Sequence, residues 1–317
     1  MKLAISSCLL GIECRYSGEH TKDDFIVDVL SKYFEFLPIC PEHEILGTPR
    51  ESMRLVEVDV GIKAIGNKSQ NDYTSLIENE GKKAIDLLNS EKICGYIFKS
   101  KSPSCGMERV KVYNGVNSSL NVKKGVGVFS KVIQDNFLYL PMEEEGRLQD
   151  DWLRENFLMQ LFAYSNLQEL LENANSIHDL IEFHTSYKYL ILSKSTTSYE
   201  KLGQITANMD KLPFSELISS YKDEFLKAIS IKSSINKTYN VLQHIYGYFK
   251  NDISKEEKAV VLESLDEFKD RLIPLIVIIK LFNLYIYKFN IEYLKKQKFL
   301  NPYPKELALR SHIKSGK

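Results

Sequence analysis

The sequence predicts an α/β domain with a mostly parallel sheet over residues 1–142, followed by an all-α domain over residues 148–317. Three observations carry this. A chain of 317 residues is long for one ordinary domain and comfortable for two. All five cysteines, at 8, 14, 40, 94 and 105, fall in the first third. The hydrophobic pattern also changes near Pro141, from short apolar or alternating runs to long helical periods.

In the first part, strand-like runs cover 2–7, 34–39, 55–60, 95–99 and 137–140. Helical patterns lie around 25–33, 72–88 and 126–133, and this alternation is the mark of a layered α/β domain. The polar run 142–147 reads as a linker. Beyond it, helical periods follow at 152–164, 177–193, 216–229, 235–248, 255–272 and 275–288.

Charge balances overall, 42 Lys plus Arg against 42 Asp plus Glu, which argues against a polyelectrolyte tail or whole-chain disorder. The balance hides an asymmetry. Residues 1–148 carry 19 basic and 21 acidic side chains, whereas 271–317 carry 10 basic and 2 acidic. The longest apolar stretch, 272–279, is interrupted by Pro274 and is too short for a membrane span. The first eight residues lack a secretory pattern, so the expected location is cytoplasmic, where five thiols point to metal binding or catalysis rather than disulfides.

In an open α/β sheet, ligands sit beyond the carboxyl ends of the strands. Cys8 follows the first strand, Cys40 the second, and Cys105 lies in the Ser102-Pro103-Ser104-Cys105-Gly106 loop after the run 95–99. Sequence-distant thiols therefore meet at one rim. No Cys-x-x-Cys pair or paired histidines accompany them, which excludes the common zinc patterns. Three thiolates suit a soft iron-containing site, and a cubane held by three cysteines leaves one iron open as a Lewis acid. Packed core thiols are the blander reading, and Cys94, inside an apolar strand-like run, takes it. Cys14 shares the Cys8 loop and is open as a fourth ligand.

The segments Ser7-Cys8-Leu9-Leu10-Gly11 with Arg15-Tyr16-Ser17-Gly18, Cys40-Pro41-Glu42 with Gly47-Thr48-Pro49-Arg50, and Lys99 to Gly106 resemble the thiouracil desulfidase (TudS-like) family. The blocks occur in the family's order across most of residues 1–140. The resemblance implies that Cys8, Cys40 and Cys105 hold a 4Fe-4S cluster whose fourth iron takes the sulfur removed from a thiolated pyrimidine. It also implies Glu42 as acid/base and Ser102 as its partner at the substrate. The loop 42–47 departs from the Gly-Gly version of many members, and Glu44 is a second carboxylate nearby.

Other residues have two readings. His43 is a loop residue or a second acid/base. Arg15, Arg50 and Arg54 are ion-pair partners or phosphate ligands. Gly125-Val126-Gly127, at a helix start, resembles an anion-binding turn.

The second part resembles the helical domain fused behind the desulfidase domain in two-domain proteins that act on 4-thiouridine in transfer RNA. The motifs are Arg147-Leu148-Gln149-Asp150, Phe183-His184 with Lys188, Asn240 to Ile245 with Gly247-Tyr248-Phe249, and Pro302-Tyr303-Pro304. Asn240, Gln243, His244 and Gly247 share one helix face, as do His184 and Lys188. Inter-helix hydrogen bonds and RNA contact are the competing roles. Lys280, Lys288, Lys295, Lys296, Lys298, Lys305 and Arg310, interleaved with Tyr285, Tyr287, Tyr293 and Tyr303, suit phosphate and base contacts.

The expectation is a desulfidase acting on tRNA, with a thiolated pyrimidine as the reacting group and no membrane association. The alternatives are a desulfidase of free thiouracil or thionucleosides, and a non-catalytic iron-sulfur RNA-binding or redox-sensing protein.

Overall fold

The structure, a computed structural model, describes residues 1–208 and 211–307. These form two compact units, 1–161 and 162–307.

The strands of the first unit are β1 (Lys2–Ser6), β2 (Glu35–Ile39), β3 (Met53–Val58), β4 (Gly61–Gly66), β5 (Tyr96–Phe98), β6 (Val110–Tyr113), β7 (Asn121–Gly125) and β8 (Met142–Glu144). Its helices are α1 (Pro41–Leu46), α2 (Thr74–Ser90) and α3 (Val128–Asn136). One sheet runs β2-β1-β5-β8, with every neighbouring pair parallel. The middle of the central strand β1 is apolar: Leu3, Ala4 and Ile5 are fully buried, as a parallel strand covered on both faces requires.

The structure differs from the sequence reading at the end of this part. The expected strand at 137–140 is a turn after α3, and the strand forms two residues further on, as β8. The run 142–147 is therefore no linker. Its three glutamates are buried at 6%, 4% and 9% exposure because each carboxylate has a partner. Glu143 accepts from Arg147 Nε at 2.6 Å, Glu144 from the Met107 amide at 2.8 Å, and Glu145 from the Ser100 amide at 2.7 Å. Burial still pushes the Glu144 carboxyl above its ordinary pKa.

A second sheet, β4-β3-β6-β7, combines two antiparallel hairpins joined by the parallel β3–β6 pair. The segment expected as a helix around 25–33 is a π turn over Phe25–Val29 followed by a 3-10 turn over Leu30–Lys32, with Phe25, Ile26 and Leu30 buried.

Helix α4 (Asp151–Asn173) begins in the first unit and ends in the second. The second unit continues with α5 (Ile177–Lys194), α6 (Thr196–Ala207), α7 (Phe214–Ser230), α8 (Ile235–Tyr246), α9 (Lys255–Lys269), α10 (Leu275–Lys288) and α11 (Glu292–Lys295). Serines set the helix starts. Ser176 and Ser254 form capping boxes with Asp179 and Glu257, and Ser195 and Ser234 cap α6 and α8. Helix α6 has no counterpart in the sequence reading, because its polar composition, with a glycine at 203, masks its period. No helix among the described residues is long and apolar enough to cross a membrane.

Candidate functional site

A cavity of about 350 Å³ opens at the carboxyl ends of β1, β2 and β5, where residues of the loops after these strands meet. Cys8, Cys40, Cys105, Glu42 and Ser102 all line it, and so does Cys14. Each thiol is placed by its backbone. Cys8 sits in a 3-10 turn directly after β1 and is closed by Gly11 in the left-handed region at φ 88°. Cys40 is the N-cap residue of α1, with Pro41 starting the helix.

The Cys105 loop is held by hydrogen bonds on both sides. Ser102 Oγ accepts from the amides of Cys105 at 3.1 Å and Ser104 at 3.3 Å, and the Gly106 amide donates to Ser102 O at 2.9 Å. The amides of Gly127, Val128 and Ser130 donate to the carbonyls of Gly106, Pro103 and Ser104 at 2.7, 3.0 and 3.0 Å. This corrects the anion-turn reading of 125–127: the first amides of α3 are spent on the cysteine loop. Gly127 is required there, since a Cβ would lie 2.5 Å from Ser104 O and 2.8 Å from the Gly106 amide nitrogen.

Cys14 lies between two of the other thiols. Cys40 Sγ lies 3.6 Å from the Cys14 carbonyl, and the neighbouring Cys14 thiol lowers the Cys8 pKa to about 7 and lowers that of Cys40, while its own is raised. Thr21, whose buried hydroxyl has no well-placed partner, stands beside Cys8 and also helps hold its pKa down. Burial pushes the Cys105 thiol up, followed by repulsion from Glu42 and Cys40. Cys94 is outside the cavity, packed at 1% exposure with its S–H on Lys2 O.

Glu42 is held from two sides. Arg50 donates to Oε2 from Nη2 at 2.9 Å and from Nε at 3.3 Å. Ser104 Oγ donates to Oε1, and Ser102 Oγ reaches the same oxygen at 3.4 Å. Glu44, the alternative carboxylate, is exposed and off the cavity wall. His43 is also off it, with Nδ1 2.7 Å from Thr48 Oγ1. The sequence reading missed Ser104; of its two readings of Arg50, the ion pair holds, with Glu42 as the partner. The Ser-x-Ser spacing at 102 and 104 was the available signal for Ser104.

The donor set fits an iron-sulfur cluster. Among the described residues no three His, Cys, Asp or Glu side chains enclose a single-ion position. Cys8, Cys40 and Cys105 all line one cavity, and thiolates are the ligands an iron-sulfur cluster takes. A buried threonine hydroxyl on its wall is left for an occupant or for Cys8 to use.

In the second unit, His184 is buried, with Nδ1 3.2 Å from Tyr221 Oη. Burial lowers its pKa to about 4, so it is a neutral packing residue. Asn240, Gln243, His244 and Gly247 all face solvent. Among the interleaved tyrosines, Tyr285 is buried and Tyr293 stacks on Tyr248 at 5.6 Å, while Tyr287 is 67% exposed. Lys280, Lys288, Lys296 and Lys305 are exposed; Lys295 and Lys298 are half-buried. Arg310 lies outside the described residues.

Comparison with known proteins gives two family matches. Residues 3–145 match the 2-thiouracil desulfurase model, and residues 188–304 match a protein family of unknown function, DUF1722. The uncharacterized protein YbbK of Bacillus subtilis is 31% identical over 140 residues, covering 42% of this chain and 89% of YbbK. The uncharacterized protein YbgA of Escherichia coli is 24% identical over 157 residues, covering 49% of this chain and 93% of YbgA. The solved structure of the 4Fe-4S-dependent thiouracil desulfidase TudS is similar with a TM-score of 0.39 and 24% identity, over 47% of this chain and 93% of that one. Through its first 145 residues, the chain belongs to the 2-thiouracil desulfurase family.

Proposed function

We propose that the protein is a 4Fe-4S-dependent, non-redox desulfidase that removes sulfur from 4-thiouridine in tRNA, giving uridine and sulfide. Residues 1–142 would carry the chemistry and residues 148–317 would position the RNA. The observation that carries the reading is the meeting of Cys8, Cys40, Cys105 and Glu42 on one cavity wall, in a chain of this family. Cys8, Cys40 and Cys105 are the ligands in this reading. When bound, the cluster supplies a thiophilic iron that polarises the thiocarbonyl sulfur and accepts it.

The protein's own residues do the rest. Glu42, aimed by Arg50, takes a proton from the water that attacks the thiocarbonyl carbon. Ser104 spends its hydroxyl hydrogen on Glu42, whereas the Ser102 hydroxyl, 3.4 Å from the same oxygen, turns to donate to the ring as charge develops. The balance is water plus thiocarbonyl giving carbonyl plus hydrogen sulfide, with no electrons exchanged. A base within folded RNA must leave its stack to reach such a cavity. The exposed basic residues of 271–307 and the solvent-facing stripe on α8 support an RNA-facing role for the helical part.

A second reading, turnover of free thiouracil or thionucleosides, is favoured by the thiol cavity's modest volume of about 350 Å³, a small-molecule size. The two are separated by following loss of the near-ultraviolet thiocarbonyl absorbance under anaerobic conditions. The RNA reading expects a higher kcat/KM on thiolated tRNA than on 4-thiouridine or thiouracil. The reverse order establishes the second reading.

A further inference from the structure

The thiol cavity holds a hydroxyl that the fold leaves unused. Among the described residues, Thr21 Oγ1 is a buried side-chain oxygen without a hydrogen-bond partner, and Thr21 lines this cavity. Buried polar atoms are nearly always paired, because a group that gives up water without a replacement costs folding free energy. We propose that the Thr21 hydroxyl donates to the Cys8 sulfur when that sulfur holds iron, which makes Thr21 a positioning residue for the cluster, an inference that rests on Cys8 as a cluster ligand and on no particular substrate.

The backbone fixes Thr21 against Cys8. Its amide donates to the Cys8 carbonyl at 2.9 Å, and two residues on, the Asp23 amide donates to the Leu9 carbonyl at 3.0 Å. Asp23 Oδ1 in turn accepts from the Ile26 amide at 3.0 Å, which ties this short pairing to the turn over Phe25–Val29. On the other side the chain closes a tight loop, with the Gly18 amide on the Arg15 carbonyl at 3.0 Å and the Arg15 amide on the Glu19 carbonyl at 3.1 Å. Thr21 is thus held at the cavity wall from both directions, with no bond from its own hydroxyl.

Neighbouring donors on this wall are committed elsewhere. Arg50 serves Glu42 and the carbonyls of Cys14 and Gly47. Lys99 Nζ donates to Glu145 Oε1 at 2.5 Å and to the Ser100 carbonyl at 3.2 Å, and Ser104 Oγ donates to Glu42. The Thr21 hydroxyl has no such commitment.

A neutral thiol is a weak acceptor, whereas an iron-bound thiolate is anionic and accepts a charge-assisted hydrogen bond. A hydrogen bond to a ligating sulfur draws off electron density, which favours the more negative, reduced cluster and raises its reduction potential. It also slows departure of that sulfur from iron, and partners of this kind change metal retention by about 10–100-fold.

The test uses the full-length protein, loaded with iron under anaerobic conditions, and the variants Thr21→Val, Thr21→Ala and Thr21→Ser. Thr21→Val keeps the shape and removes the hydroxyl; Thr21→Ser keeps the hydroxyl and removes the methyl group. A lower reduction midpoint in Thr21→Val than in the parent, with iron released to a chelator about ten-fold faster and Thr21→Ser close to the parent on both, supports the proposal. An exchangeable-proton coupling in the electron paramagnetic resonance of the reduced cluster, present in the parent and Thr21→Ser and lost in Thr21→Val, supports it as well. Unchanged midpoint and iron release in Thr21→Val overturn it. So does a Thr21→Ser displaced as far as Thr21→Val, which assigns the effect to the methyl group. Thr21→Ala is the second hydroxyl-free variant and is read in the same way should the valine variant not fold. Failure of the cluster reading shows instead as a parent that binds no iron, and failure of the desulfidase reading as an iron-loaded parent without turnover, in which the midpoints still decide the role of Thr21.

Discussion

The Arg50 guanidinium grips Glu42 Oε2 with two donors, Nη2 at 2.9 Å and Nε at 3.3 Å, while its Nη1 donates to the carbonyls of Cys14 at 3.0 Å and Gly47 at 2.8 Å. One side chain, only 4% exposed, thus ties the catalytic carboxylate of the proposed reaction to the loop that carries Cys14. Glu42→Gln is expected to lower kcat by about 100-fold or more, the usual share of a general base, with iron content retained. Arg50→Lys keeps the charge and loses the fork, so kcat should fall about ten-fold with little change in KM. Arg50→Ala strands a carboxylate in a largely buried site and should cost about 3–5 kcal/mol in chemical denaturation. Full activity in Glu42→Gln contradicts the assignment.

The cysteines divide into two groups. Cys8→Ser, Cys40→Ser and Cys105→Ser are each expected to lose the visible absorption and most of the iron of the anaerobically purified protein. Cys14→Ser and Cys94→Ser should keep both, because Cys14 is not among the three ligands of this reading and Cys94 packs against the Lys2 carbonyl. Iron and acid-labile sulfide assays read the outcome. Loss of iron in Cys14→Ser would make it a ligand.

Gly127 tests the clamp under Cys105. Gly127→Ala drives a methyl group into the Ser104 carbonyl and the Gly106 amide, both backbone atoms. An overpacking cost of about 1–3 kcal/mol is expected, with a loss of bound iron larger than that in Gly203→Ala, where a Cβ meets nothing within 4 Å. Equal iron content in the two variants contradicts the clamp.

His184 gives a pH dependence in the helical unit. Its folded pKa of about 4 lies below the ordinary 6.5, because burial disfavours the charged form and Lys188 repels it. The unfolded chain therefore binds the extra proton first. The contribution is fully present above pH 6.5 and is lost as pH falls from there toward 4, amounting to about 3 kcal/mol at the low end. Thermal unfolding from pH 7 to 4.5 should show a steeper fall in Tm for the parent than for His184→Gln. Parallel curves contradict the assignment.

How much of this could be read before folding depends on the residue. Cys8 and Cys40 were legible because each ends an apolar strand run, and strand ends converge in a parallel sheet. Strand β8 was not, since Met142-Glu143-Glu144 has the composition of a loop; the nearby Arg147 and the distant Met107 amide make the burial of its glutamates tolerable. Of the second sheet only β3 was read, near 55–60; β7 escaped because it is mostly exposed and lysine-bearing, so its alternation has little apolar signal. Ser104 became a functional candidate only when a loop 62 residues away closed on Glu42, whereas Arg50 was legible as an ion-pair partner without its partner being named. In the helical unit, His184 and Lys188 shared the expected face, but burial and Tyr221, not RNA, occupy the histidine.

The central claim, that the thiol cavity removes sulfur from a thiolated base, is tested most directly by anaerobic turnover of thiolated tRNA by the iron-loaded, full-length protein. Thiocarbonyl absorbance and released sulfide are measured in the same reaction. One sulfide released for each thiocarbonyl lost, without added reductant or oxidant, is the predicted result. Unchanged absorbance on tRNA, nucleoside and free thiouracil alike would contradict the account.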